Sequence, residues 1–151
     1  MRLRAWAVLP AVVAACLLAA QPAAAAQAPV EFHADSGDQC QRGVTEGTLE
    51  WVEGPVVRPT VRVAGDLTDG GVNSPCAIDD MYSRASFSAY NGTTLVDTEL
   101  VKADDGTVPV SLSLSDATGV AAIDRVVVQV CRFSNTPIGL SYCGPVSEYK
   151  R

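Results

Sequence analysis

The chain has 151 residues, with 11 Lys and Arg against 17 Asp and Glu, so its formal net charge is −6 at pH 7. An acidic chain without a run of basic residues repels phosphate backbones and anionic lipid headgroups. Nucleic acids and anionic membrane surfaces are therefore excluded from the expected partners.

The first 26 residues have the pattern of a cleavable signal peptide. Two arginines precede an apolar run over residues 5–20, and a tract of small residues ends at Ala26. This run is shorter than the roughly 20 residues that a membrane-spanning helix needs. We predict cleavage between Ala26 and Gln27. Removing 26 of 151 residues leaves 125, and with 9 basic and 17 acidic residues their net charge is −8.

Cys16 offers an alternative way of processing. It ends a Val-Ala-Ala-Cys sequence that resembles a bacterial lipobox, which would leave a lipid anchor on Cys16. The four residues that follow are apolar, whereas lipoproteins usually become polar after the modified cysteine. We therefore expect a secreted domain with no membrane partner after processing. Arginine outnumbers lysine nine to two, which is typical of a bacterium with GC-rich codons.

The remaining cysteines predict two disulfides. An even number of cysteines in an exported chain is typical of a disulfide framework, and four allow three connectivities. We predict sequential pairing, Cys40–Cys76 and Cys131–Cys143. A zinc site is disfavoured because the sequence has no CxxC pair and its single histidine is His33. No cofactor or metal is expected.

Alternation of apolar and polar residues predicts a series of strands. The predicted strands cover residues 45–52, 56–64, 81–90, 93–102, 108–114 and 123–133, with a short closing strand in 146–150. Pro59 cannot donate to a ladder, so we expect an edge position or a bulge there. Asn91-Gly92 predicts a tight hairpin turn. Residues 27–43 show no clear period and are expected to be an N-terminal extension before a single domain over 44–151.

These elements predict an all-β fold, an antiparallel β-sandwich of about six or seven strands. A small Greek-key β-barrel is the alternative. The segment 108–133 resembles the E strand, corner and F strand of immunoglobulin-like domains. Gln129 stands where a true immunoglobulin domain has its corner tyrosine, and Trp51 is too far from Cys131. We therefore predict an immunoglobulin-like architecture without membership in that family.

The sequence carries no catalytic motif. A serine hydrolase needs a base, His33 is the single candidate, and no GxSxG motif occurs. The acidic pairs Asp79-Asp80 and Asp104-Asp105 are adjacent residues that face opposite sides of a strand or, in a turn, water. We expect a protein that is not an enzyme, with a small secreted hydrolase as the alternative.

Two further patterns have weak functional interpretations. Asp66, Asp69, Asp79 and Asp80 offer oxygen ligands for calcium, but their spacing fits no defined calcium loop. Asn91-Gly92-Thr93 is formally a glycosylation sequon, but in a bacterial protein we expect it to be a turn only.

The segment between the last two cysteines predicts a binding site. A disulfide-closed loop loses little entropy on docking, and this one holds several apolar side chains: Phe133, Ile138, Leu140 and Tyr142. We expect a binding or structural domain whose partner is an extracellular protein or a glycan. Coverage of the core by these side chains is the structural alternative.

Two more specific functions remain open. Bacterial protease inhibitors of the subtilisin-inhibitor type resemble the chain in size, export, β content and two disulfides. That resemblance implies a loop presented to a protease. A carbohydrate-binding module would instead need an exposed row of rings drawn from Trp51, Tyr82, Tyr90 and Tyr149.

Overall fold

The fold is taken from a computed structural model, which describes residues 27–38, 40, 42–54, 57–70 and 80–151. The predicted signal peptide, including Cys16 and Ala26, lies outside these residues, as does Cys76. The described residues contain no helix long and apolar enough to cross a membrane.

The described residues form nine β-strands that belong to two antiparallel sheets. In chain order they are β1 (Val30–Asp35), β2 (Gly43–Gly54), β3 (Val57–Asp69), β4 (Met81–Asn91), β5 (Thr94–Ala103), β6 (Gly106–Ser115), β7 (Arg125–Ser134), β8 (Ser141–Cys143) and β9 (Ser147–Lys150). Sheet 1 has the order β1-β2-β3-β6. Sheet 2 has the order β5-β4-β7-β8, and β9 also pairs with β7. The predicted β-sandwich is confirmed, and the chain forms two sheets rather than one closed barrel.

The core lies between the inward faces of the two sheets. Phe32 of sheet 1 and Phe87 of sheet 2 meet edge to face with ring centroids 5.7 Å apart. The buried Trp51 donates its indole N–H to the carbonyl of Ile123 at 3.1 Å. Inward positions alternate with outward ones on most strands, as the period-2 pattern predicts.

Strand β1 corrects the interpretation of residues 27–43 as an extension without structure. Val30–Asp35 pair with β2, and both Phe32 and Ala34 are buried. Apolar and polar residues alternate here in the sequence, but a pattern with only two apolar residues, Phe32 and Ala34, is too short to predict a strand. His33 therefore lies on a strand rather than in a flexible tail.

The Tyr149 side chain closes the outer edge of β1. Its hydroxyl accepts a hydrogen bond from the His33 N–H and donates one to the His33 carbonyl, both at 2.8 Å. The Tyr149 ring packs edge-on against Phe32. A side chain of sheet 2 thus satisfies the N–H and the carbonyl of His33 at the edge of sheet 1.

Strand β3 runs further than the sequence predicts. It extends to Asp69 through residues predicted as a turn, because Leu67 continues the buried face. At its start, residues 58–59 lie opposite a single residue of β2, between the pairs Gly54↔Val57 and Val52↔Thr60. Pro59 therefore lies at a bulge, one of the two positions expected for it.

The β4–β5 hairpin turns one residue later than predicted. Asn91 remains in β4, and Gly92 alone supplies a positive φ, of 58°. The Asn91 side-chain amide donates to the Ala122 carbonyl at 2.7 Å, and the Gly92 N–H donates to Asp124 at 2.7 Å. The sequon residue thus has a structural role in holding this turn against the β6–β7 connection.

Strand β7 is central in sheet 2, as its apolar sequence predicts. Apolar residues on both parities predict a strand that is covered on both faces, and this is only partly the case. Val126, Val128 and Val130 are buried, whereas the side chains on the other parity, such as Val127, are only half-buried. The strands predicted over 93–102, 108–114 and 146–150 are confirmed as β5, β6 and β9.

One buried ion pair joins the two sheets. Asp69, at the end of β3, lies 3.3 Å from the Arg132 guanidinium of β7, and the two side chains are 0% and 1% exposed. Ser83 of β4 donates its hydroxyl to the same carboxylate, and the Asp105 N–H donates to its other oxygen at 3.0 Å. The carboxylate therefore connects three strands and the β5–β6 turn.

Asp116 organises the connection between β6 and β7. Its carboxylate accepts hydrogen bonds from the Thr118 hydroxyl and from the N–H groups of Ala121 and Val120. The Thr118 hydroxyl first, and then these backbone donors, lower the pKa of Asp116 to about 2. The connection contains a single hydrogen-bonded turn, in which the Gly119 N–H donates to the Asp116 carbonyl.

This shift predicts a pH dependence of stability. Because the folded-state pKa of Asp116 lies below its ordinary value, the carboxylate contributes stability above about pH 4, and this is lost as the pH falls towards 2. We expect Asp116→Asn to flatten the decline of Tm between pH 4 and pH 2, and Thr118→Val to flatten it less. Differential scanning calorimetry at pH 2–5 measures both. Identical pH profiles for Asp116→Asn and the wild type would contradict this prediction.

Candidate functional site

The segment between the last two cysteines is a β-hairpin with an exposed tip. Cys131 lies directly opposite Cys143, and Phe133 lies opposite Ser141. The tip, residues 135–140, connects β7 to β8 and is called the tip loop below. It is the part of the described chain where large apolar side chains are most exposed.

The tip loop is held by its own hydrogen bonds. The Gly139 N–H donates to the Thr136 carbonyl at 3.2 Å and closes a turn over Pro137 and Ile138. The Thr136 N–H donates to Ser134 Oγ at 3.0 Å. Asn135 donates from its backbone to the Asp80 carbonyl at 2.8 Å. The loop is thus a structured turn at the end of the hairpin.

The four side chains predicted for the binding loop fall into two groups. Ile138 is 98% exposed and Leu140 is 84% exposed, so neither covers the core. Phe133 and Tyr142 are half-buried and lie in the strands below the tip. The first pair is available to a partner, and the second pair supports the hairpin.

Asp38 anchors the hairpin to the N-terminal part of the chain. It accepts the Tyr142 hydroxyl at 3.2 Å, the Ser36 hydroxyl at 2.6 Å and the N–H groups of Cys40 and Arg42. Burial raises the pKa of Asp38, but these hydrogen bonds, that of Ser36 foremost, outweigh it and lower the pKa overall. Burial and the Asp38 charge raise the pKa of Tyr142. Asp38 was not predicted from the sequence, although acidic residues that accept hydrogen bonds from N–H groups just downstream are common in turns.

The predicted Cys131–Cys143 disulfide is confirmed, with a Cα–Cα distance of 3.9 Å. It joins β7 to β8 just below the tip loop. Cys40 is also disulfide-bonded. Its predicted partner Cys76 lies outside the described residues, so that pairing stays a prediction.

Phe133 belongs to a stack of rings and cations on the outer face of sheet 2. Its ring lies on Tyr82, with centroids 5.5 Å apart and planes 23° apart. The Arg84 guanidinium lies 4.2 Å from the Phe133 centroid, and Lys102 Nζ lies 4.0 Å from that of Tyr82. This stack fixes the base of the hairpin and leaves two positive charges beside it.

The aromatic row required by a carbohydrate-binding module does not form. Trp51 is buried, and the Tyr149 hydroxyl is bonded to His33. Tyr82 and Tyr90 share the outer face of β4, but eight residues place them about 26 Å apart. Lys102 and Arg125 lie over their respective rings. The four rings are therefore scattered.

The acidic residues predicted as calcium ligands do not converge. Asp66 is exposed on the outer face of β3, whereas Asp69 is buried on the inner face. Asp80 is exposed, and Asp79 lies outside the described residues. Asp69 lies instead beside Asp104 and Asp105, and the carboxylate oxygens of these three residues come within 4.8 Å of one another.

Two of these three carboxylates, those of Asp69 and Asp104, accept hydrogen bonds from donors of the protein itself. Asp69 binds Arg132 and Ser83, as described above. Asp104 accepts Lys102 Nζ at 3.0 Å and the Asn135 amide at 3.3 Å, and these hydrogen bonds lower its pKa. The cluster therefore ties the β5–β6 turn to the tip loop and the core.

His33, the single base considered for a hydrolase, lies on the outer face of β1. Its Nε2 is 3.8 Å from Asp35 and its Nδ1 is 3.7 Å from Glu46. The shallow depression beside it is also lined by Thr48, Asp66 and Tyr149 and has no serine or cysteine. Among the described residues that line this depression, His33 therefore has no serine or cysteine beside it to activate.

The chain matches no protein-family model, and no curated protein or solved structure is significantly similar to it.

Proposed function

We propose that the mature chain is a secreted bacterial binding domain without enzymatic activity, which engages a protein partner through the tip loop. The observation that supports this most is the exposure of Ile138 and Leu140 on a hairpin held by a disulfide and by backbone hydrogen bonds. Each side chain would gain about 1.5–3 kcal/mol on full burial in a partner. The fixed turn limits the entropy lost on docking.

We also propose an immunoglobulin-like architecture for the sandwich. Its support is the strand order: β2-β3-β6 faces β5-β4-β7-β9, with β4 and β7 adjacent in the second sheet. This matches the A-B-E and C′-C-F-G arrangement of such domains when β1 is taken as an added strand. Loops at the ends of such sandwiches commonly carry binding residues, and the tip loop lies at one end.

Protease inhibition is the narrower version of this proposal, and the turn geometry counts against it for Ile138. A protease cleft binds its substrate as an extended segment, whereas the Thr136–Gly139 hydrogen bond folds the chain around Ile138. An apolar pocket that accepts a turn fits the loop better. A panel of serine proteases separates the two versions, because near-stoichiometric inhibition of any member would support the inhibitor.

The binding prediction is tested with immobilised protein and the producing organism's culture medium. We expect Ile138→Ser/Leu140→Ser to lose a partner that the wild type retains, with at least a tenfold weaker affinity for the pair. The matched control is Leu95→Ser/Val120→Ser, which removes two exposed apolar side chains outside the tip loop instead. Equal retention by the tip-loop variant would place the binding surface elsewhere.

A further inference from the structure

The outer face of sheet 1 is acidic. Its outward-facing described side chains include one arginine, Arg62, and the single histidine, His33, which is counted as uncharged. The same face carries five carboxylates: Glu31, Asp35, Glu46, Glu50 and Asp66. Five negative charges and one positive charge give a net −4. This surface is called the acidic face below.

The outer face of sheet 2 has the opposite sign. Its outward positions hold one carboxylate, Glu148. They also hold four cations: Arg84, Lys102, Arg125 and Lys150. The net charge is +3 on a mature chain whose total is −8. This surface, which also carries Tyr82, Phe133 and the 54% exposed Leu100, is called the basic face below.

Contacts on the basic face reduce its charge without cancelling it. Glu148 is shared by Arg125 and Lys150, each at 2.9 Å. Lys102 pairs with Asp104 of the neighbouring turn at 3.0 Å. With Asp104 included, the face still has a net charge of +2. Arg84 lies over the Phe133 ring, 4.2 Å from its centroid.

We infer that copies of this chain associate face to face, with the basic face of one copy against the acidic face of the next. The argument is charge complementarity: the two faces are the opposite sides of one sandwich and carry net charges of opposite sign. The rings and Leu100 of the basic face supply apolar contact at short range. An unrelated acidic partner would match the basic face but leave the acidic face without a counterpart.

This contact has consequences for the assembly. It joins two different surfaces, so each pair leaves one face of each kind free, and the copies form an open chain unless a rotation closes a ring. The total charge of −8 opposes close approach, and exposed ion pairs contribute little individually. We therefore expect a weak, concentration-dependent and salt-sensitive association.

Charge reversal of each face tests the inference. Glu46→Lys/Asp66→Lys reverses two residues that lie directly opposite each other on the acidic face. Arg84→Glu/Lys102→Glu reverses a directly opposed pair on the basic face. Each double variant alone should self-associate at least about tenfold more weakly than the wild type. Mixed in equal amounts they should associate again, because each then offers the face that the other needs.

Sedimentation velocity of the mature protein at low and high salt measures these constants, and circular dichroism confirms that each variant is folded. Glu99→Lys, an exposed change on the edge strand β5, is the control and should behave as the wild type. A wild type that stays monomeric at low salt would overturn the inference. So would variants that associate as the wild type does, or a mixture that fails to associate. Neither variant changes a tip-loop residue, and self-association is measured without the tip-loop partner, so a failure of this inference can be distinguished from a failure of the proposed binding function.

Discussion

Asp69→Ala is expected to lower the free energy of unfolding by about 3–5 kcal/mol, because it removes the carboxylate that lies 3.3 Å from the buried Arg132 guanidinium. The same change removes the acceptor of the Ser83 hydroxyl and of the Asp105 N–H. Urea denaturation followed by far-ultraviolet circular dichroism measures the loss.

The double variant Asp69→Leu/Arg132→Met tests whether the ion pair adds net stability to the fold, or whether each charge is needed only because the other one is buried. Replacing both charged groups with apolar ones removes the desolvation cost together with the attraction, so it should recover much of the stability. A single Asp69→Ala variant that loses less than about 1 kcal/mol would mean that water reaches the site and solvates Arg132.

Gly65→Ala is expected to destabilise the protein by at least about 3 kcal/mol, because a Cβ at Gly65 would lie 2.1 Å from the Glu46 carbonyl oxygen. Gly65 pairs with Gly47 at inward positions of β3 and β2, and both strands are inside sheet 1. The atoms that would clash with this Cβ belong to the backbone of β2, so the hydrogen-bonded pairing of β2 and β3 would have to shift.

Gly106→Ala is the matched control for this substitution. A Cβ at Gly106 meets nothing within 4 Å, and the residue starts a strand with ordinary backbone geometry. We expect it to change the free energy of unfolding by no more than about 0.5 kcal/mol, as for most surface changes. If both variants lost the same free energy of unfolding, the loss would come from replacing a strand glycine in general and not from the close approach of β2 and β3.

Much of the β-sandwich could be predicted from local patterns. The alternation in β4 and β6, and the Asn91-Gly92 turn signal, depend on neighbouring residues along the chain and were sufficient to identify strands. Strand β1 was missed because Phe32 and Ala34 give only one repeat of the pattern. Its place in the sheet follows from pairing with β2 and from packing against Phe87.

The charged features could not be predicted, since they depend on contacts between distant segments. Asp69 and Arg132 are 63 positions apart in the sequence and meet across the core. The cations of the basic face come from four strands, so no basic run marks them in the sequence. The tip loop was predicted from its composition and its cysteines, but composition could not separate the exposed Ile138 from the half-buried Tyr142.

The hydrogen bonds between Tyr149 and His33 have a consequence for how molecules of this protein can meet. A strand with free N–H and carbonyl groups is a template for cross-β aggregation, and at the middle of β1 one phenol occupies both groups. The opposite edge of sheet 1 is β6, where Pro109 offers no N–H to an incoming strand. Both edges of this sheet thus resist the strand-by-strand growth of amyloid. Contacts between molecules through their side chains are therefore favoured when the protein reaches high concentration.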